Sequence, residues 1–116
     1  MNEDSETCEL VNRKCVPCHG GVPPLATDEI ERYLGELRGW EVVEGHHLKK
    51  SYAFPNFRQP LALVNRIAEV AEAEGHHPDI SFGWGRADVT IYTHAIDGLT
   101  ESDFILAAKI DGIKST

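Results

Sequence analysis

Apolar positions along the chain follow two rhythms. Ile30, Tyr33, Leu34 and Leu37 recur on one helical face, and Phe57, Leu61, Val64, Ala68 and Ala71 do so over a longer run reaching about Glu74. A third such stripe is Leu106, Ile110 and Ile113. Between the helices the period drops to two. Trp40 to Val43 and Leu48 to Phe54 read as strands joined around Glu44-Gly45, while Ile80, Phe82 and Trp84 lead through Gly83 to Arg86 into Ala87, Val89, Ile91 and Thr93. That second hairpin is expected to end at His94. The order helix, strand, strand, helix, strand, strand, helix predicts an α+β two-layer sandwich, an antiparallel sheet of four strands with three helices on one face.

Local punctuation supports these elements. Thr27 is placed to cap the first helix, ahead of Asp28 and Glu29 at the positive end of its dipole, and Gly39 to stop it. Pro55 and Asn56 mark the start of the second helix, which tolerates Pro60 in its first turn. Gly75 suits a left-handed helix end, with Pro78 preventing resumption. Thr100 and Asp103 form a capping box for the last helix. Lys50 falls among Leu48, Tyr52 and Phe54 on the apolar face, which leaves that strand's register open. Residues 1–26 are polar, cysteine-bearing and then rich in Gly and Pro, so they read as an irregular arm before a domain at 27–116.

Composition narrows the function classes. A chain of 116 residues fits one domain, and 41% hydrophobic with 26% charged residues describes a soluble globular protein with no bilayer-spanning run. Eleven Lys and Arg against nineteen Asp and Glu give a formal charge of -8, a field that repels phosphate backbones, so nucleic acid is not an expected partner. The acidic start lacks the pattern of an export signal, and a cytoplasmic location is expected. Free sheet edges make pairing with another copy plausible.

The candidate chemistry is histidine-based. His76 and His77 follow Gly75, His94 closes the second hairpin, and Glu72 supplies a carboxylate one turn before the helix stop. Imidazole titrates nearest neutrality, so such a cluster can give a proton at one point and take one at another. Asp103 could orient an imidazole, although capping is its simpler role. Trp84 and Trp40 offer surfaces for stacking on a flat heterocycle, with core packing as the alternative, and Tyr92 shares the face of His94. Cys15-Val-Pro-Cys18-His19 matches the C-x-x-C-H form of haem attachment, but the only Met is residue 1 and no export signal precedes it. A zinc or redox role for Cys8, Cys15, Cys18 and His19 stays open.

The pattern Glu72-x-x-x-His76-His77-Pro78, followed by Trp84, His94 and Asp103, resembles the pterin-4a-carbinolamine dehydratases, also called 4a-hydroxytetrahydrobiopterin dehydratases. The resemblance spans about residues 24–113. It implies the same fold and a hydro-lyase that converts 4a-hydroxytetrahydropterin, supplied by an aromatic amino acid hydroxylase, into quinonoid dihydropterin and water. This step belongs to the recycling of tetrahydrobiopterin. No metal or organic cofactor is implied. By resemblance, His76, His77 and His94 surround the pterin with Glu72 beside them. His76 to Pro78 and Thr93, His94, Ala95 and Ile96 form two walls, with Trp84 and Asp103 among the binding residues. A homodimer or homotetramer is implied. Two alternatives remain in view: a non-catalytic binding or assembly module of the same fold, and a protein binding metal through the histidines or the cysteine arm.

Overall fold

The computed structural model describes residues 10–12 and 24–113. Its elements are α1 (Thr27–Leu34), β1 (Glu41–Val43), β2 (His47–Ala53), α2 (Arg58–Glu74), β3 (Asp79–Gly83), β4 (Arg86–Ile91) and α3 (Glu101–Asp111), with short 3-10 turns at Leu10–Asn12 and His94–Ile96. The strands form one antiparallel sheet in the order β1-β2-β4-β3. This is the expected α+β arrangement, α-β-β-α-β-β-α. Among the described residues, no helix is long and apolar enough to cross a membrane.

The sheet is two-faced because its strands alternate. Leu48, Ala87, Val89 and Ile91 are buried on the helix side, while Ser51, Ser81 and Asp88 align across β2, β4 and β3 on the outer side. Lys50 does lie on the inner face. Its stem is covered, its ammonium reaches Asp111 Oδ1 at 2.9 Å, and it sits 5.8 Å from the Trp40 ring and 5.0 Å from that of Tyr52. A lysine therefore fits the apolar register once its charge has a carboxylate partner.

Four expectations need correction at the element ends. Thr27 is the first helical residue of α1 and Ala26 the cap, whose N–H is taken by Glu29 Oε1 at 3.1 Å. The helix ends at Leu34 instead of Gly39, and the turns that follow keep Leu37 against the core. Strand β4 stops at Ile91, because Thr93 donates its N–H to Gly98 at 2.8 Å and closes a small loop. His94 thus opens a 3-10 turn and does not end a strand. Finally, α3 has no single stripe: Ser102 through Ala108 and Ile110 are all buried, as befits a helix enclosed on every side.

Part of that enclosure comes from the segment read as an arm. Leu10 is fully buried against the core, and its N–H donates to Glu36 Oε1 at 3.1 Å. Cys8, Cys15, Cys18 and His19 lie outside the described residues.

Candidate active site

The corner after α2 is made by backbone chemistry. Gly75 adopts φ 66° and ψ 26°, a left-handed conformation that costs glycine nothing, and its N–H still bonds Ala71 O. Proline at 78 then prevents another turn. The chain leaves the helix extended, so consecutive side chains point opposite ways. His76 turns inward, with its side chain 15% exposed, and His77 turns outward at 59%.

Each histidine has its own carboxylate. His76 Nε2 lies 2.6 Å from Asp103 Oδ1, and His77 Nε2 lies 2.6 Å from Glu72 Oε2. His94 Nε2 is 3.6 Å from Asp79 Oδ2, an ion-pair distance too long for a hydrogen bond. Asp103 is the hub of the buried part. Its Oδ2 accepts the Thr100 N–H at 2.8 Å, closing the capping box, and the Thr93 hydroxyl at 2.8 Å. One carboxylate thus both caps α3 and orients His76. The two roles that the sequence set against each other use different oxygens.

Pairing of Asp79 with Thr90 brings the start of β3 beside the end of β4. His76 and Thr93 are joined through Asp103, His94 follows Thr93, and Asp79 follows Pro78 and approaches His94. The structure therefore gathers Glu72, His76, His77, Pro78, Asp79, Thr93, His94 and Asp103 at one end of the β3–β4 hairpin. Ala95 and Ile96 belong to the same loop, where Ala95 is exposed and Ile96 half-buried. Asp79 was not among the residues singled out, although it sits two positions beyond His77.

Trp84 is not gathered with them. It occupies the hairpin tip, 72% exposed, and five residues of strand at roughly 3.3 Å each set it about 16 Å from the Asp79 end of its own chain. Trp40 is a core residue, its Nε1–H donated to Asp111 Oδ1 at 2.9 Å.

A cavity of about 260 Å³ lies elsewhere, between β2, α2 and α3, lined in part by Lys50, Tyr52, Leu63, Arg66 and Asp111. No histidine reaches it. Burial, with the Asp111 carboxylate nearby, pushes the Tyr52 hydroxyl well above the usual phenol range. Imidazole–carboxylate pairs converge at the histidine end and not at this mainly apolar space. Among the described residues no three His, Cys, Asp or Glu side chains are grouped to hold a metal ion.

Fold and site together define a two-layer α+β domain with carboxylate-braced histidines at one sheet end. The family model for pterin 4 alpha carbinolamine dehydratase matches residues 23–113. A Rubrobacter xylanophilus protein provisionally named a pterin-4-alpha-carbinolamine dehydratase is 61% identical over 103 residues, covering 89% of this chain and 96% of that one. A Rickettsia bellii protein of the same provisional name is 58% identical over 106 residues, covering 90% and 94%. The crystal structure of a transcriptional coactivator/pterin dehydratase from Brucella melitensis superposes with a TM-score of 0.72 at 32% identity, covering 78% of this chain and 97% of that one. A pterin dehydratase-like protein described as a RuBisCO assembly factor in the alpha-carboxysome gives 0.55 at 27% identity, covering 65% and 88%. The chain belongs to the pterin 4 alpha carbinolamine dehydratase family.

Proposed function

We propose that the protein dehydrates 4a-hydroxytetrahydropterin to quinonoid dihydropterin and water by histidine acid–base catalysis. The observation that carries this reading is the set of imidazoles at one sheet end, each with Nε2 turned to a carboxylate. A ring hydrogen-bonded in this way, as those of His76 and His77 are, keeps its proton on Nε2 and presents Nδ1 to a ligand, as a base when the ring is neutral and as an acid when it is charged. The reaction needs both. One proton goes to the departing 4a-hydroxyl, which leaves as water, and one is taken from ring N5 as the double bond forms.

In this reading His76, His77 and His94 surround the pterin, with Glu72 steering His77. Pro78 and the Thr93 to Ile96 loop form the walls, and Asp103 acts through His76. Trp84 would join the site only from a second copy, in keeping with a homodimer or homotetramer. The reaction takes place in the cytoplasm, in tetrahydrobiopterin recycling, on substrate released by an aromatic amino acid hydroxylase. It uses no metal or organic cofactor.

The test is a time-resolved dehydration assay on purified protein. Wild type is expected to accelerate loss of the carbinolamine, and the variant with His76, His77 and His94 all changed to alanine to lose at least about a hundredfold in rate. Equal turnover by the two would remove the catalytic assignment. A purely assembly-directed role would leave wild type itself inert in this assay.

A further inference from the structure

His94 has the weakest polar tether of the three histidines. Its side chain is 61% exposed, Asp79 is beyond hydrogen-bond reach at 3.6 Å, and its backbone is a single 3-10 turn. An imidazole so placed rotates about two side-chain torsions unless something else holds it. What touches it is an aromatic ring. The Tyr92 ring centroid lies 4.1 Å from that of His94 with the planes 30° apart, a close tilted ring contact.

Tyr92 is in turn supported. Its ring is 4.6 Å from that of His46, and His46 is engaged at both nitrogens: Nε2 to Asp97 Oδ1 at 2.7 Å and Nδ1 to His47 Nδ1 at 3.1 Å. The register explains the convergence. Leu48 pairs with Ile91 on the inner face, so their neighbours His47 and Tyr92 share the outer one. Asp97, in the left-handed conformation at φ 52°, ends the same 3-10 turn that His94 begins. The His46–Asp97 contact therefore ties the β1–β2 turn to the loop carrying His94.

We infer that Tyr92 and His46 are positioning residues for His94: Tyr92 fixes the plane of the imidazole by close ring contact, and His46, held by Asp97, backs Tyr92 and clamps the loop. This deepens the proposed function and rests on its assignment of His94 to proton transfer. Neither residue needs to touch the pterin. Their effect is to keep His94 in one rotamer, which alters the rate of the chemical step more than binding.

The test pairs kinetics with proton NMR of the His94 ring in substrate-free protein. Tyr92→Leu is expected to lower kcat roughly tenfold with KM changed less than about twofold, and to abolish the ring-current shift of the His94 C–H resonances. Tyr92→Phe, which keeps the ring, is expected to restore both. His46→Ala should give a smaller loss, about threefold, and stands in for Tyr92→Leu if that variant does not fold. His94 resonances unchanged in Tyr92→Leu would overturn the proposal, as would a Phe variant as impaired as the Leu one. The NMR arm needs no turnover, so its failure is separable from failure of the proposed function. Full turnover by His94→Ala would instead overturn the role of His94, and with it any catalytic meaning of the ring contact.

Discussion

His76 and His94 are the same residue type at the same end of the sheet, yet they are held in opposite ways. His76 is nearly buried and bonded at 2.6 Å to a carboxylate that is itself 0% exposed, and that carboxylate also caps α3 and accepts the Thr93 hydroxyl. His94 stands in solvent against a tyrosine ring, with its carboxylate partner 64% exposed. A buried network makes ring geometry inseparable from fold stability, because every unpaired member carries a desolvation penalty. A surface ring contact holds a ring with little consequence for folding. One domain can therefore restrain two histidines at very different stability cost.

Removing each carboxylate separates the two modes. Asp103→Ala should destabilise the protein by about 3 kcal/mol, since it deletes a helix cap and strands buried donors on Thr93 and His76. Asp79→Ala should cost less than about 0.5 kcal/mol, as exposed ion pairs contribute little. Urea unfolding of the two variants measures the contrast directly. Equal losses would break the comparison.

Thr93→Val sharpens it further. The substitution keeps the shape of the side chain and removes only the hydroxyl, which bonds Asp103 Oδ2 at 2.8 Å and lies 2.9 Å from the Thr100 hydroxyl. A loss of about 1–2 kcal/mol is expected, again by urea unfolding, because Thr100 N–H and His76 still satisfy the carboxylate in part. Glu72→Gln is the exposed counterpart for His77. With both partners largely in solvent, its stability should change by less than about 0.5 kcal/mol while turnover falls a few-fold.

What could be read from sequence follows from how local each device is. Gly75 and Pro78 mark the α2 corner by their own backbone limits, and Thr100 with Asp103 declares a cap, so both were legible. The second use of Asp103 was legible only as an option for some imidazole, since its partner His76 lies 27 positions away and only tertiary packing selects which oxygen faces it. Trp84 is a different case. The hairpin pattern puts it at the turn, away from the histidine end of its own chain, and a single sequence carries no signal for what a second copy would bring there. The role of His46 depends on the β2–β4 register, which alternation alone leaves undetermined because Lys50 occupies an inner position. Leu10 gives no signal, because one leucine in a polar stretch has no periodic partner.

The outer face offers the gentlest probe of the comparison through its response to acid. Asp88 accepts the Ser51 hydroxyl at 2.7 Å, which holds its carboxyl below the usual aspartate range, and Arg86 at 3.0 Å helps while partial burial opposes. The ionised form is favoured in the fold. Its contribution is therefore present above the pKa of the unfolded chain and is lost as pH falls through the lowered native value. Ser51→Ala removes the main cause, so the acid unfolding midpoint should move to higher pH by less than about half a unit, read by circular dichroism. The ring-current shift of His94 should stay put in the same variant, because Tyr92 holds that ring by contact and not by charge. A His94 shift that followed the titration of Asp88 would instead make the outer face one electrostatic unit, and the contrast with the buried network would fail.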